Sequence, residues 1–316
     1  MAPSPLRKRQ TLPTRRISLT LPAVTYPPPH TALKRIIILK GKGVATLRCV
    51  RHRLAAFVIV TLLALTPAAA AADRLPIPGI TGQDERTLVK TADYPWQAIG
   101  RLNNTLGPFC TGTLIGPRRV LTAAHCLWNP RTRRWLPACA LHFLAGYQGG
   151  NYVAHSLVSS YQLSDGETVR WQGPPTDPTR DWAVLTLAED LGAVAEALPT
   201  APLSRQWLTD YQQQGGVFLQ AGYSRDRPHI LTQNRPCKLA GFGHNDRLIR
   251  HECDATFGDS GSPILLERNG KYHIVAMLVG IDKSTGKGIA VTGTAFHEHL
   301  QALEPPAPVK GKAKSC

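Results

Sequence analysis

Three short motifs carry the residue types that nucleophilic catalysis by a serine requires. In chain order they are Leu-Thr-Ala-Ala-His-Cys at residues 121–126, Asp-Trp-Ala-Val-Leu at residues 181–185 and Gly-Asp-Ser-Gly-Ser-Pro at residues 258–263. A serine nucleophile needs a base that takes its hydroxyl proton and a carboxylate that orients the base and stabilises its cation. His125, Asp181 and Ser260 supply these groups, and we predict that they form a catalytic triad.

The glycines beside Ser260 indicate where a developing negative charge is stabilised. Because glycine permits tight backbone turns, the N–H groups of Gly258 and Ser260 can point together at the oxyanion of a reaction intermediate. Each such donor contributes about 10²–10³ in turnover. We predict that these two groups form the oxyanion hole.

Asp181 is preferred as the triad acid over two other aspartates. It opens the apolar run Ala-Val-Leu, which is typical of a buried strand. Asp177 and Asp210 also lie within range and remain alternatives.

Other chemistries fit the sequence less well. An esterase of the α/β-hydrolase type has Gly-x-Ser-x-Gly and the order Ser, Asp, His, whereas this chain has Gly-Asp-Ser-Gly-Ser and the order His, Asp, Ser. His297-Glu298-His299 is not a His-Glu-x-x-His zinc motif, and its histidines lie on different faces of a helix. The sequence also has no Cys-x-x-Cys pair. We predict neither a metal nor another cofactor.

The net charge of +16 comes mostly from the N-terminal segment. Residues 1–72 hold 12 of the 37 Lys and Arg residues and no Asp or Glu, so residues 73–316 hold 25 basic and 21 acidic residues, a net charge of +4. A body this close to neutral has no basic footprint for nucleic acid. Nucleic-acid binding is therefore excluded from the expected functions.

The N-terminal segment has the pattern of a secretory signal. Three arginines between residues 48 and 53 precede an apolar run at residues 54–65, and five alanines follow at residues 68–72. We predict cleavage after Ala72, with Ala70 as the alternative. A retained single-pass anchor is the other interpretation, although a membrane span needs about 20 residues. The expected location is the periplasm or the extracellular medium, without membrane contact after cleavage.

The rest of the chain has the pattern of a strand-rich domain over residues 73–304, followed by a Pro- and Lys-rich tail at residues 305–316. Short runs rich in β-branched residues, bounded by turn residues, predict strands at residues 98–102, 113–116, 120–122, 183–187, 217–222, 263–266 and 273–280. Helical periodicity is clear only near residues 295–303, which we expect to form a terminal helix. The pattern predicts an all-β barrel or sandwich.

Six cysteines remain after signal cleavage, an even number in an exported chain, so disulfides are expected. They are Cys110, Cys126, Cys139, Cys237, Cys253 and Cys316. Six cysteines allow 15 pairings, so the sequence alone leaves the pairing open.

Taken together, the three motifs and their order resemble those of the trypsin-like serine proteases of the chymotrypsin fold. The resemblance covers roughly residues 80–300 and is closest to the bacterial, glutamyl-endopeptidase-like branch. Features shared with that branch are Tyr-Pro-Trp-Gln-Ala-Ile-Gly at residues 94–100, Cys253-Asp254, and Gly-Ser-Pro after Ser260.

The resemblance implies a specific all-β architecture. Two six-stranded antiparallel β-barrels, at about residues 85–195 and 196–300, pack together, and a short C-terminal helix follows. His125 and Asp181 would come from the first barrel and Ser260 from the second. The implied disulfides are Cys110–Cys126 and Cys237–Cys253, which leaves Cys139 and Cys316 to pair.

The resemblance leaves activation by cleavage open. In trypsin-like proteases, the acid beside the nucleophile, here Asp259, pairs with a newly formed N-terminus. The typical Ile-Val-Gly-Gly start is absent, and Ile80-Thr81-Gly82 is the nearest segment.

Substrate preference is expected to depend on the segment before Ser260 and on a late strand. The implied pocket residues are Asp254, Met277, Leu278, Val279 and Gly280. An Asp six residues before the nucleophile selects Arg or Lys in trypsin-like enzymes, and a His in the late strand marks the glutamyl-specific relatives. The strand has no His, so we rank small or medium apolar residues first, Arg or Lys second, and Glu or no preference third.

The sequence therefore predicts a serine endopeptidase that acts on proteins or peptides through an acyl-enzyme. The branch that it resembles favours a bacterial source, and a monomer is expected. The alternative is a catalytically inactive, protease-fold binding protein, which usually lacks a member of the triad.

Overall fold

The computed structural model describes residues 77–164 and 173–303, together with residues 306 and 316. Residues 73–316 form one compact unit of the chain. The predicted signal segment, its cleavage site and most of the predicted tail lie outside the described residues.

The described residues are mostly β-structure. The strands are β1 (Thr87–Leu88), β2 (Ile99–Asn104), β3 (Phe109–Gly116), β4 (Arg119–Thr122), β5 (Trp128–Asn129), β6 (Arg134–Trp135), β7 (Leu141–Ala145), β8 (Ala154–Leu163), β9 (Ala183–Leu187), β10 (Phe218–Gly222), β11 (Thr232–Cys237), β12 (Leu239–Gly243), β13 (Leu248–His251), β14 (Pro263–Arg268), β15 (Lys271–Ile281) and β16 (Gly288–Thr292). The predicted all-β class is confirmed.

The first half is a closed barrel of six antiparallel strands in the order β2, β3, β4, β9, β8, β7. Strand β7 shows why these residues form a barrel wall, since Leu141, Phe143 and Ala145 are buried while His142 and Leu144 are not. Successive strand residues face opposite sides, so this alternation fills the barrel interior with apolar side chains. The prediction of a first six-stranded barrel is confirmed.

The second half is an eight-stranded antiparallel sheet in the order β1, β11, β10, β14, β15, β16, β13, β12. The prediction of a second six-stranded barrel is met only in part, because the sheet has two more strands and does not close by hydrogen bonds. Strand β1 pairs with β11 and forms the edge of the sheet on that side of β11. Only Lys238 separates β11 from β12. The chain itself therefore links β12, at one edge of the sheet, to β11, which lies beside the other edge strand, β1.

Two α-helices and several short 3₁₀-helices complete the described part. Helix α2 (Gly293–Ala302) is the predicted terminal helix, whereas α1 (Arg205–Gln213) was not expected. Helix α1 begins after Ser204, whose Oγ accepts a hydrogen bond from the Trp207 N–H at 3.2 Å, and Leu208 is its buried residue. The apolar side chains of α1, Trp207, Leu208 and Tyr211, have helical spacing, but the helix is short and otherwise polar, and it was not identified from the sequence. In the described ranges, no helix is long and apolar enough to cross a membrane.

One apolar core joins the two halves. It combines barrel residues such as Leu121 and Phe143 with Leu265 and Met277 of the sheet. Trp182 extends this core, because its ring lies 6.3 Å from that of Phe296 on α2. The two halves are thus held by continuous packing, and the residues at their junction have fixed positions.

The six cysteines pair as the resemblance implies. The bonds are Cys110–Cys126, Cys237–Cys253 and Cys139–Cys316, with Cα separations of 6.2, 4.7 and 5.3 Å. The first joins β3 to the 3₁₀-helix that contains His125. It therefore fixes a segment of the candidate site.

His251 is a buried histidine whose ring has no partner. It is fully buried on β13, a side chain at Gly288 would overlap its ring, and neither ring nitrogen has a hydrogen-bond partner within the described residues. Burial lowers the pKa of His251 to about 4. The unfolded chain, with a pKa near 6.5, therefore binds the proton more readily than the folded chain does.

We expect His251 to make the fold acid-sensitive. As the pH falls from about 6.5 to about 4, the unfolded state binds a proton that the folded state does not bind. The free energy of unfolding therefore decreases as the pH falls, by about 3 kcal/mol in total. Replacing His251→Leu should remove that loss. The measurement is urea unfolding at pH 7 and pH 4.5, in a Ser260→Ala background that prevents autolysis. An equal loss in the parent and in the Leu variant would contradict the assignment.

Candidate active site

His125 lies at the end of the barrel that faces the sheet. Strand β4 ends at Thr122, and the 3₁₀-helix Ala124–Leu127 follows at once and carries His125. The Cys110–Cys126 disulfide ties this turn to β3. The imidazole position is therefore set by a strand end and a covalent link.

Asp181 contacts His125 through both carboxylate oxygens. Its Oδ2 lies 2.7 Å from His125 Nδ1, and its Oδ1 accepts a hydrogen bond from the His125 backbone N–H at 2.8 Å. Strand pairing explains the proximity, since Thr122 at the end of β4 pairs with Ala183 at the start of β9. The strand that follows Asp181 thus brings the carboxylate beside the histidine.

This contact changes the protonation of His125. Burial by itself favours the neutral ring, but the hydrogen bond and the negative charge of Asp181 outweigh it and raise the pKa of His125. The carboxylate also selects the tautomer, because a proton on Nδ1 points at Asp181 and leaves the Nε2 lone pair free. The ring is thereby set up as a base through Nε2.

The two alternative acids, Asp177 and Asp210, contact residues other than His125. Asp177 is the N-cap of the 3₁₀-helix Pro178–Arg180 and accepts hydrogen bonds from the N–H and hydroxyl of Thr179. Asp210 is exposed on α1 and accepts a hydrogen bond from Gln206. Of the three candidates, it is Asp181 that contacts His125.

The loop that carries Ser260 is held between the two halves. The Thr111 N–H on β3 donates to the Ser260 carbonyl at 2.9 Å, and the Thr111 hydroxyl donates to the Gly258 carbonyl at 3.1 Å. The Gly261 N–H donates to the Leu278 carbonyl on β15 at 2.8 Å. The barrel thus fixes one side of the loop and the sheet fixes the other.

Gly258 has a backbone conformation that only glycine adopts readily. Its φ is +95°, and a side chain there would overlap the Tyr223 carbonyl oxygen. In the described part of the chain, the N–H groups of Gly258 and Ser260 have no backbone acceptor. Two donors of the predicted oxyanion hole are therefore available to a ligand.

Asp259 is buried between these two residues and is satisfied by neutral donors. It is 1% exposed, and its Oδ2 accepts hydrogen bonds from the Ser224 hydroxyl at 2.6 Å and the Thr256 N–H at 2.8 Å. Burial raises the pKa of Asp259 to about 6, although both hydrogen bonds act in the opposite direction. The Ile80-Thr81-Gly82 segment lies elsewhere, since the Thr81 N–H donates to Asp254.

A cavity of about 620 Å³ opens beside His125 and Ser260. Three of the predicted pocket residues line it, namely Leu278, Val279 and Gly280. Met277 is fully buried in the core instead. Asp254 is 3% exposed and is not part of the lining. The structure therefore places the late strand at the pocket but not these two residues.

A second cavity of about 420 Å³ also borders His125. It lies along the Cys110–Cys126 disulfide and is lined in part by Phe109, Trp128 and Leu136. His125 is thus the residue that the two cavities share.

A comparison with protein families now identifies the chain. The family model described as Trypsin matches residues 85–301, which is more than two thirds of the sequence. The chain belongs to the trypsin family. The matched range contains every residue of the candidate triad and oxyanion hole.

Individual relatives agree with this family. The chain is similar to a glutamyl endopeptidase of Bacillus licheniformis, 30% identical over 199 residues that cover 62% of this chain and 58% of that protein. It is also similar to serine protease 23 of Rattus norvegicus, 27% identical over 187 residues that cover 54% and 45% of the two chains. The chain thus matches less than two thirds of the length of either relative.

A solved structure shows the same fold. A Glu endopeptidase in complex with MPD superposes with a TM-score of 0.56 and 19% identity, over 70% of this chain and 97% of the other. This likeness supports the trypsin-family architecture and says nothing of this chain's substrate.

Several residues of this trypsin-family site were not found from the sequence. Pro78, Gly79, Phe257 and Ile281 also line the cavity that holds Ser260. Phe257 precedes the Ser260 motif and Ile281 follows the predicted pocket residue Gly280. Their positions beside these residues could have predicted that they line the pocket. Pro78 and Gly79 gave no such signal, because they are far from these residues in the sequence.

The clusters that resemble metal ligands do not offer thiolates. Cys110 and Cys126 lie near His125, and Cys237 and Cys253 lie near His251, but each cysteine pair forms a disulfide. Zinc binds the thiolate form of cysteine. His297 contacts the Thr200 hydroxyl and His299 packs on Trp182, so these two histidines are also separately engaged.

Proposed function

We propose that this chain is a serine endopeptidase in which His125, Asp181 and Ser260 form the catalytic triad. The observation that carries the proposal is the contact of Asp181 with His125 Nδ1 at 2.7 Å, beside a cavity that His125 and Ser260 line together. This arrangement supports the proposal that a base and a nucleophile act together beside a space large enough for a substrate carbonyl.

The reaction follows from these positions. The Ser260 Oγ attacks the peptide carbonyl carbon while His125 Nε2 takes the hydroxyl proton, and the negative charge forms on the carbonyl oxygen. The N–H groups of Gly258 and Ser260 stabilise that oxygen. The C–N bond then breaks as His125 returns the proton to the leaving amine, which leaves an acyl-enzyme. Water then attacks the ester while His125 takes its proton, and His125 returns that proton to the Ser260 Oγ as the C–O bond breaks and the acid leaves.

Endopeptidase action is supported by the two cavities that border His125. With volumes of about 620 and 420 Å³, they offer an extended substrate room beyond the scissile bond. Proteins and peptides are the proposed substrates. We also propose export, because three disulfides persist in an oxidising compartment.

Incubation with denatured casein tests whether the chain is an enzyme or an inactive binding protein of the same fold. We expect casein fragments that accumulate with time, with new termini at internal positions of the casein chain. The control is the protein inactivated beforehand by a serine-directed phosphonate. Retention of intact casein without cleavage would favour the binding protein.

Ser224 is expected to act on catalysis through Asp259. Replacing Ser224→Ala removes the hydroxyl that donates to the buried carboxylate at 2.6 Å, so the pKa of Asp259 rises further and the neighbouring oxyanion donors lose a support. We expect kcat to fall about tenfold, less than the 10²–10³ of a donor lost outright, with KM nearly unchanged and the acid limb of the pH profile moved upward. The measurement is kcat and KM across about pH 5–9.

The matched control is Ser159→Ala, which removes an exposed hydroxyl on β8 that donates to the Thr186 carbonyl. A pH profile of Ser224→Ala that coincides with the control would show that Ser224 does not act on the site.

A further inference from the structure

We propose that the site cuts after apolar side chains and that Pro78 and Gly79, which belong to the segment of residues 77–85, form a wall of the pocket that accepts them. This inference rests on the proposed function, since it names the substrate class of the same site. The pocket is the 620 Å³ cavity that reaches Ser260.

The lining of this pocket is mainly apolar. Its larger apolar side chains are those of Pro78, Phe257, Leu278, Val279 and Ile281. The Phe257 ring is 57% exposed, so it offers apolar surface at the cleft rather than filling the core. An apolar substrate side chain that enters loses its water contact, which favours binding by about 25 cal/mol per Å² buried.

Asp254 is turned away from this pocket by the N-terminal segment. Its two carboxylate oxygens accept hydrogen bonds from the backbone N–H groups of Thr81, at 3.2 Å, and Glu85, at 2.8 Å. The carboxylate is therefore already satisfied by residues 77–85. The Asp254 carboxylate therefore offers no free acceptor to a substrate Arg or Lys, and a buried charge without a partner is strongly unfavourable.

The same segment contacts the pocket at Gly79. The Gly79 carbonyl accepts a hydrogen bond from the Ala255 N–H at 3.2 Å. The φ of Gly79 is +88°, and a side chain there would overlap the Ala255 carbonyl oxygen. Three hydrogen bonds thus join residues 77–85 to residues 254–255, two of them to the Asp254 carboxylate and one between backbone groups. Pro78 and Gly79 line the cavity beside this attachment.

The charged residues of the lining do not favour glutamate. Asp282 and Lys283 are consecutive and of opposite sign, so they give this part of the pocket no net charge. The Asp282 carboxylate accepts hydrogen bonds from the N–H and hydroxyl of Ser284. Lys283 is exposed to solvent. An entering glutamate would face both signs of charge at once.

A peptide library read by mass spectrometry tests the preference of the wild-type protein. We expect cleavage to follow Leu, Val, Ile, Met, Ala or Phe, with kcat/KM more than about tenfold above that of matched Arg and Glu peptides, in keeping with what one side chain contributes in an apolar pocket. Dominant cleavage after Arg or Lys, or after Glu, would overturn the proposal.

Two variants locate the origin of the preference. With Asp254→Asn the order of preference should not change, whatever happens to the overall rate, because the carboxylate does not face the substrate. With Val279→Asp, a carboxylate enters the pocket, and cleavage after Arg or Lys should rise at least tenfold relative to Leu. Loss of Arg or Lys cleavage in Asp254→Asn, or an unchanged order in Val279→Asp, would contradict the assigned walls.

The outcome is separable from that of the proposed function. Labelling of Ser260 by a fluorophosphonate is scored in parallel for each variant, because the probe needs the triad but no specific peptide side chain. Labelling together with a different preference would overturn the specificity alone, whereas absence of labelling in the wild type would overturn the function.

Discussion

Replacing Ser260→Ala or His125→Ala is expected to lower kcat by about 10⁴-fold or more, with little change in KM. The two residues act as one chemical unit, since the serine is a poor nucleophile without its base and the base has nothing to deprotonate without the serine. For the same reason the double variant should be no slower than either single variant. Hydrolysis of a chromogenic peptide measures all three.

The control for this experiment is His142→Ala, because His142 lies on β7 away from the cavity that contains Ser260. Its activity should equal that of the wild type. Thermal unfolding shows whether each variant is folded. A folded Ser260→Ala or His125→Ala variant that keeps more than about 10⁻² of the wild-type rate would contradict the triad, since triad residues carry much more than this.

Asp181→Asn is expected to reduce kcat by about 10⁴-fold while the geometry is kept. An amide can donate to the ring where the carboxylate only accepts, so the Nε2–H tautomer becomes available and the base is lost. The negative charge that raises the pKa of His125 is removed as well. Burial then dominates, and the acid limb of the residual kcat/KM profile should move to lower pH.

The measurement is kcat/KM against pH for the wild type and Asp181→Asn. In the wild type the acid limb should lie above the ordinary histidine value of about 6.5. The matched control is Asp177→Asn, which alters the cap of the 3₁₀-helix Pro178–Arg180 and should change stability rather than the pH profile. A larger loss of activity in Asp177→Asn than in Asp181→Asn would show that the acid is wrongly assigned.

The parts of the molecule that follow from local sequence were predicted well. Strand β9 occupies the expected residues 183–187, because its apolar run is bounded and buried on both faces. Helix α2 was expected within two residues of its observed bounds. Family motifs predicted the position of the loop that carries Ser260. Its glycines are required by the backbone conformation, such as the φ of +95° at Gly258, and this requirement depends little on the rest of the sequence.

Other strands gave weak local signals. Strand β8 (Ala154–Leu163) mixes apolar residues with Ser, His and Gln without regular alternation, and β12 (Leu239–Gly243) contains two glycines. Their structure comes from pairing with neighbouring strands rather than from intrinsic preference. The eight-stranded arrangement of the second half likewise depends on β1, a two-residue strand that only its partner β11 defines.

The direction of the Asp254 carboxylate shows why the pocket could not be predicted. Its partners Thr81 and Glu85 lie 173 and 169 residues away in the sequence. The spacing from Ser260 kept Arg or Lys as the second-ranked preference, after apolar side chains. Long-range backbone hydrogen bonds instead turn the carboxylate toward the N-terminal segment.

The central claim is that His125 activates Ser260 as a nucleophile, and a fluorophosphonate probe tests it most directly. The Ser260 Oγ should displace fluoride from phosphorus, and mass spectrometry of the digested protein should find one adduct per chain, on the peptide that contains residues 258–263. Denatured protein and His125→Ala should remain unlabelled, since free serine does not react at a comparable rate. An adduct on another residue, or no adduct on the folded wild-type protein, would contradict the account.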